Sequence, residues 1–403
     1  MAKSVTLPGV RPGTIPVMAV ACGVMVATIY LCQPLLGQIA HQLGVPEHAS
    51  ALVAVAAQIG YTIGILFVVP LSDAAAPKKL VQVLLVLTIL GLLGAALAPG
   101  LGILLAASLM IATTSVVAQI LIPLATTLAS PENRGRIVGS LTTGLIMGIL
   151  LSRTVSGIVA QFSHSWRAPY LLEAVLLVVM FFVVPQFMPE RPAGQAKTGY
   201  FALLKSLPPL LRHRPLLLSM GMNFCVFGGF SALWATLAFH LETPAFGLGP
   251  AAAGLFGLWG APGALLAPIA GRLSDRWGSA PVNCLGLLSA GLAFVFAGTT
   301  GATSIVGLVI AVNLLDFGLQ SGQVANQTRI FGIAPEIRGR LNTIYMVATF
   351  GGGALGALAG GYAWSFARWT GVCTLGLGLV LVAAAILTLT TIFSRKSVAL
   401  QSP

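Results

Sequence analysis

Along nearly the whole chain, apolar residues run on for about twenty positions before a short polar break interrupts them. The runs are too long for strands and too uniformly apolar for the stripes of soluble helices. They predict twelve membrane-crossing helices, near 14–38, 48–71, 79–98, 102–129, 136–162, 168–188, 216–241, 249–272, 280–299, 303–330, 340–364 and 370–393. Each matches the roughly 20 apolar residues that a helix needs to cross a bilayer. The breaks are short except for 189–215, which is rich in Pro, Lys and Arg. Within it, Tyr200, Phe201, Leu203, Leu204 and Leu207 are spaced to form an amphipathic surface helix. The expected organisation is a six-helix bundle over 1–188, a cytoplasmic linker over 189–215 and a second six-helix bundle over 216–403.

Composition supports the pattern. Hydrophobic residues make up 57% of the 403 residues and charged ones 7%, against about 25% charged in soluble domains. The net charge of +12 does not mark a nucleic-acid binder, because the basic residues sit in the breaks between apolar runs. Their distribution orients the chain. With the N-terminus cytoplasmic, seventeen fall inside: Lys3, Arg11, Lys78, Lys79, Arg134, Arg136, Arg191, Lys197, Lys205, Arg212, Arg214, Arg272, Arg276, Arg338, Arg340, Arg395 and Lys396. Only Arg167 and Arg368 fall outside. Both termini and the linker are therefore expected in the cytoplasm, and the first run reads as an uncleaved span. Cys22, Cys32, Cys225, Cys284 and Cys373 are scattered through apolar segments without a CxxC pair, which suggests inert thiols and no metal site.

The two halves repeat. Pro70-Leu-Ser-Asp73 recurs as Arg272-Leu-Ser-Asp275, with the aspartates 202 apart. Pro131-Glu-Asn-Arg-Gly-Arg136 recurs as Pro335-Glu-Ile-Arg-Gly-Arg340, 204 residues later, and Trp166 and Trp369 are 203 apart. Three pairs at nearly one offset indicate a duplicated six-helix unit, the arrangement in which transporters bind substrate near mid-membrane.

Gly271-Arg-Leu-Ser-Asp-Arg-Trp-Gly278 resembles the loop motif of the major facilitator superfamily. The first-half copy, Val69 to Lys78, keeps the aspartate and a late basic residue but lacks both glycines and the arginine. With Ile29 to Leu36, Gln58-Ile-Gly-Tyr61, Arg153 to Gly157 and Asn326-Gln-Thr-Arg329, the chain resembles that superfamily's drug–proton-antiporter branch, and within it the proteins called arabinose-efflux-permease-like. The resemblance implies an all-α polytopic membrane protein, with twelve transmembrane helices in two pseudo-symmetric six-helix bundles. It also implies that Asp73 and Asp275 cap helix N-termini in one conformation only, with Lys78, Arg134, Arg136, Arg276, Arg338 and Arg340 as gating companions. Solvated loop charge and positive-inside anchoring account for the same residues. Two departures stand out: the Gly-Pro pair expected in span five is Gly148-Ile149, and span four has no arginine.

Polar residues inside spans are the candidate site. Arg153 lies deep in span five, where an arginine costs roughly 2.5–3.5 kcal/mol on insertion scales; it either snorkels outward or faces a cavity and pairs with an anion. Asp316 is an acidic residue near the middle of a span, and a carboxylate isolated in a low-dielectric interior favours its protonated form. It is thus the candidate for proton coupling, with Arg153 as counter-charge, or else a structural hydrogen-bonding group. In span ten, Asn313, Asp316, Gln320, Gln323 and Gln327 are spaced three, four, three and four, which places them on one helical face. That stripe is either interhelical glue or one wall of a substrate route. The resemblance places Tyr30, Gln33, Gln58, Tyr61, Gln119, Arg153, Asn223, Trp234, Gln320, Gln323, Asn326 and Gln327 in a central cavity as substrate contacts.

The resemblance implies a secondary transporter, a proton-coupled exporter of small organic or amphipathic compounds working by alternating access in the cytoplasmic membrane. An importer or facilitator of a small metabolite fits the same pattern. An intramembrane enzyme is remote. Gly229-Phe-Ser-Ala232 fits a Gly-x-Ser-x pattern, but His240 is nine residues along the same helix, about 13 Å away at 1.5 Å per residue. A channel would show filter loops or charged rings. No catalytic residue, metal or cofactor is expected. The expected partners are a small-molecule substrate, protons and the bilayer, with no nucleic acid, and the expected state is a monomer.

Overall fold

The computed structural model describes residues 13–128, 133–188 and 199–399. Lys3, Arg11, Pro131, Glu132, Arg191 and Lys197 lie outside the described residues, as do the side chains of Asp73, Pro335, Arg395 and Lys396. Among the described residues all regular structure is helical. Eleven helices among the described residues are long and apolar enough to cross a membrane. Spans one to ten are Thr14–Leu43, Glu47–Val68, Pro77–Ala96, Leu101–Thr126, Arg134–Ser163, Arg167–Phe187, Arg214–Glu242, Pro250–Trp277, Ser279–Gly298 and Ile305–Phe331. The eleventh helix, Arg338–Leu389, has 52 residues, about 78 Å at 1.5 Å per residue and more than twice a bilayer core of about 30 Å. Its backbone turns at Ala367 (φ −138°) and Arg368 (φ 48°), which splits it into spans eleven and twelve.

The helix ends follow from local sequence. Prolines sit in the first turns of spans three, seven and eight, where the missing N–H costs nothing. Ser304 caps span ten by accepting the Gly307 N–H, and Gly44 ends span one at φ 63°. Several spans are broken internally. Span one tightens into a 3₁₀ turn at Gln33–Leu35 around Pro34, and span two widens into a π-helix at Gly64–Val68. Span four breaks at Ser115, and span eight breaks at Gly260 and Leu266 beside Pro262 and Pro268. Such interruptions are found where backbone lines a functional interior.

The chain forms two compact units. The first is Met1–Pro46, Ala56–Lys205 and Leu248–Leu258; the second is Glu47–Val55, Ser206–Gly247 and Trp259–Pro403. Span two therefore begins in the second unit and continues in the first, and span eight does the reverse. In the first unit, spans one and five approach so closely that a Cβ on Gly148 would overlap the Gly23 backbone. In the second, spans seven and eleven do the same, Gly352 against Phe224 and Gly356 against Gly228. Small residues four apart permit such approach, and Gly148 and Gly352 are 204 apart in sequence. Large apolar side chains such as Val83, Leu90, Val175, Phe182, Leu288 and Leu389 are exposed; a helix that is apolar all round faces lipid. In the linker, Tyr200–Lys205 is a short helix with Phe201 exposed, fastened by the Tyr200 hydroxyl donating to the Phe67 carbonyl at 3.0 Å.

Candidate functional site

In the first unit the 3₁₀ turn at Pro34 sets the site. Proline has no N–H and cannot continue the helical ladder, so the backbone tightens and Gln33 meets span five. Arg153 Nε donates to Gln33 Oε1 at 2.7 Å, and its guanidinium carbon lies 5.0 Å from the centre of the Tyr30 ring. Arg153 is only 2% exposed, so it is buried and not extended to water. A hydrogen bond to a charged group contributes about 1.5–3 kcal/mol and a desolvated cation–π contact about 2. Together these are of the size needed to offset an intramembrane arginine. Tyr61 and Gln119 form a second pair, Gln119 Nε2 donating to the Tyr61 hydroxyl at 3.3 Å. Gln58 is also buried, and its Oε1 has no hydrogen-bond partner among the described residues, which leaves an acceptor open.

In the second unit, Asn223 Nδ2 donates to Thr349 Oγ1 at 2.7 Å, joining spans seven and eleven. Thr349 Oγ1 itself donates to the Tyr345 carbonyl, so it can only accept from Asn223 and the amide orientation is fixed. Trp234 is buried, with Phe230 6.0 Å away. Asp316 is 8% exposed in span ten, and Gln320 and Gln323, further along, are half-buried. Asn326 Oδ1 accepts Arg329 Nη1 at 2.9 Å, and the same nitrogen donates to Ser219 Oγ at 3.1 Å. Gln327 Nε2 donates to Asn342 Oδ1 at 3.4 Å. A small cavity of about 10 Å³ is lined by Asn223, Asn283, Gly318, Gly322 and Asn326 among others. That is room for about one water, not for a substrate.

The polar stripe of span ten divides in two. Asn313 has its amide fully engaged: Nδ2 donates to the Trp259 carbonyl at 2.7 Å and the Val309 carbonyl at 2.8 Å, and Oδ1 accepts the Gly263 N–H at 2.9 Å. It holds the break in span eight and belongs to the glue. The rest of the stripe lies further along the same helix, with Asp316 buried, Gln320 and Gln323 half-buried and Gln327 bonded to Asn342.

The loop residues are less gathered. Asp275 and Arg276 are exposed, and Asp275 has no ion pair among the described residues. Arg134 and Arg136 are exposed, while Lys78 and Arg340 are half-buried. Arg338 Nε donates to the Phe331 carbonyl at 2.8 Å, closing the end of span ten. Sequence reasoning missed the partners Ser219, Arg329 and Thr349. Arg329 stood in the same polar segment as Asn326, a signal in plain view; the other two are ordinary hydroxyl residues that only packing singles out. Among the described residues no cluster of His, Cys, Asp or Glu could hold a metal ion.

The Major Facilitator Superfamily model matches residues 18–328 and 219–401. The uncharacterized transporter YgaY of Escherichia coli O157:H7 is 37% identical over 372 residues, 92% of this chain and 94% of that one. A probable transporter of Streptomyces coelicolor, SCO4007, is 36% identical over 379 residues, 91% of this chain and 85% of that one. Multidrug resistance protein D of Escherichia coli is 30% identical over 195 residues, about half of each chain. Among solved structures, the nucleoside transporter NupG shares the fold at a TM-score of 0.73 and 12% identity, covering 94% of this chain and 99% of that one. Family and relatives alike make this a multi-pass transport protein, not an enzyme. The chain belongs to the Major Facilitator Superfamily.

Proposed function

We propose that the protein exports small organic, amphipathic compounds across the cytoplasmic membrane by alternating access, driven by proton antiport. The observation that carries the reading is the buried Arg153, held by Gln33 and Tyr30, in a family of secondary transporters. A fixed cation among aromatic and amide groups suits ligands with an aromatic body and one polar or anionic group. Asp316 is the proposed proton carrier, and Gln58, Tyr61, Gln119, Asn223, Trp234, Gln320, Gln323, Asn326 and Gln327 are the proposed polar and aromatic surroundings. The likeness over 195 residues to a multidrug resistance protein supports export. The Lys/Arg distribution supports cytoplasmic termini, with Asp73, Asp275 and the neighbouring basic residues gating that face of a monomer.

The test is transport into everted vesicles under an imposed pH gradient, using compounds found by screening a deletion strain for sensitivity. Gradient-driven accumulation is expected, and Asp316→Asn is expected to abolish the dependence on the gradient while leaving exchange. Full gradient-driven accumulation by Asp316→Asn removes that residue from coupling, and uptake only in the opposite direction favours import.

A further inference from the structure

Spans seven, nine and ten of the second unit meet around the small cavity of about 10 Å³. Its polar lining is Asn223, Asn283 and Asn326, each at most 2% exposed. Their amides are half engaged. Asn223 Nδ2 is taken by Thr349, and Asn283 Nδ2 donates to the Ser279 carbonyl at 2.9 Å. Neither Oδ1 accepts a hydrogen bond from another described residue. Asn326 is reversed: its Oδ1 is taken by Arg329, and its amide nitrogen remains as a donor.

The matching place in the first half is filled. Asp73 and Asp275 are 202 apart, and the same step leads from Val81 to Asn283 and from Leu84 to Gly286. Val81 and Leu84 are buried apolar side chains. Packing confirms the register. Gly318 lies against Ala290, and Thr114 and Thr88, 204 and 202 residues earlier, share a hydrogen bond of 2.7 Å. Where the first half has Val81, Leu84 and Thr114, the second therefore has an amide and two residues without side chains. One copy is full, and the other is hollow and faced by amide oxygens.

We propose that this cavity is a binding site for one water, which donates to Asn223 Oδ1 and Asn283 Oδ1, accepts from Asn326 Nδ2, and ties spans seven, nine and ten together. The room is that of one water, which needs two to four polar partners. The lining has no carboxylate, and Arg329 is bonded to Asn326, so a cation is disfavoured. Two facing oxygens disfavour an anion. The water joins the Asn223–Thr349 pair to the chain from Asn326 through Arg329 to Ser219. It thereby positions Asn223 and Asn326, two of the residues proposed to surround substrate. That consequence rests on the functional reading; the site itself does not.

Gly322 and Met222, both in the lining, provide the test. A Cβ on Gly322 would meet only Asn283 Oδ1, at 3.8 Å, so a methyl group fits there in the room of the water. Glycine to alanine within a helix ordinarily stabilises, and filling a dry cavity adds to the gain. Here Gly322→Ala is expected to lower the melting temperature by a few degrees, because it displaces the water and strands two amide oxygens. Gly322→Ser is expected to recover the loss, since its hydroxyl replaces the water, although serine is the poorer helix former. A melting temperature for the alanine variant at or above that of the serine variant overturns the site. The parent protein gives a second reading that needs no variant to fold. Met222 is 1% exposed, as buried as Met18 and Met25 in the first unit. An X-ray pulse makes hydroxyl radicals from bound water, and a thioether beside that water is oxidised to the sulfoxide. By mass spectrometry, Met222 is expected to oxidise several times faster than Met18 and Met25, and to lose the excess in Gly322→Ala. Equal rates in the parent, or an excess that persists in the alanine variant, overturn the proposal. No substrate or gradient enters either measurement, so failure of the transport reading is recognised separately, in vesicles.

Discussion

The Thr154 hydroxyl donates to the Gly254 carbonyl at 3.0 Å, one residue along span five from the buried Arg153. The same face of span eight brings Gly257 against the Arg153 side chain, and a Cβ on Gly254 would overlap the Arg153 carbonyl. The position of the buried Arg153 in the first unit is therefore set by two glycines of another span.

Gly254→Val is expected to be the more damaging of two nearby changes. Its side chain meets backbone, which cannot yield as a flexible side chain does, and overpacking costs about 1–3 kcal/mol. Thr154→Val removes one hydrogen bond at nearly constant shape, about 0.5–1.5 kcal/mol. Thermal unfolding in detergent should rank Gly254→Val below Thr154→Val, and the reverse order would show that span eight is not held by this approach.

Arg153→Lys keeps the charge but lacks the rigid fork that reaches Gln33 while lying over Tyr30. Losing a charged hydrogen bond of about 1.5–3 kcal/mol predicts a fall of roughly tenfold to a hundredfold in initial transport rate. The melting temperature should move little, because the ammonium can find other acceptors. A lysine variant with the parental rate would remove geometry, though not charge, from the account.

Much of the fold was legible because lipid imposes one rule, that apolar runs of helical length cross the membrane. The twelve crossings and the repeat were readable from hydropathy and from motifs 202 to 204 residues apart. What hydropathy could not show was exchange: Glu47–Val55 and Leu248–Leu258 look like ordinary span beginnings, and only packing assigns them to different units. Arg153 was identifiable as costly, but its partner depended on the 3₁₀ turn at Pro34. The span-ten stripe was readable as a periodicity, but a helical face does not say which amides the neighbouring backbone will claim, as it claims Asn313.

Asn313 and Gln320 should accordingly separate. Asn313→Ala leaves the N–H of the buried Gly263 without its acceptor at a broken helix, and a buried group stripped of its partner costs about 1–3 kcal/mol. Stability is expected to fall. Gln320→Ala should leave the melting temperature unchanged and raise the KM for substrate. Equal effects of the two on stability would return the whole stripe to the glue.

The thiols offer a check on packing. Cys22, Cys32, Cys225 and Cys373 are buried and Cys284 is exposed. A membrane-permeant maleimide should modify one thiol of the five in the folded protein and all of them after denaturation. Cys284→Ser should abolish the folded-state signal, and rapid modification of a second thiol would contradict the packing around it.

Arg368 pays for its place in backbone energy. With φ 48° and ψ −142° it occupies a region that is almost confined to glycine, at a cost of about 1–3 kcal/mol. Arg368→Gly and Arg368→Ala lose the same ion pair, worth about 0–1 kcal/mol when exposed, and the same stacking on Trp364. Only glycine relieves the backbone. The glycine variant is therefore expected to be more stable than the alanine variant by about 1 kcal/mol or more, even after the greater freedom of glycine in the unfolded chain is subtracted. Paired thermal melts decide the sign. An alanine variant as stable as the glycine one would mean that the turn between spans eleven and twelve is unstrained, and that the arginine is kept there at no conformational cost.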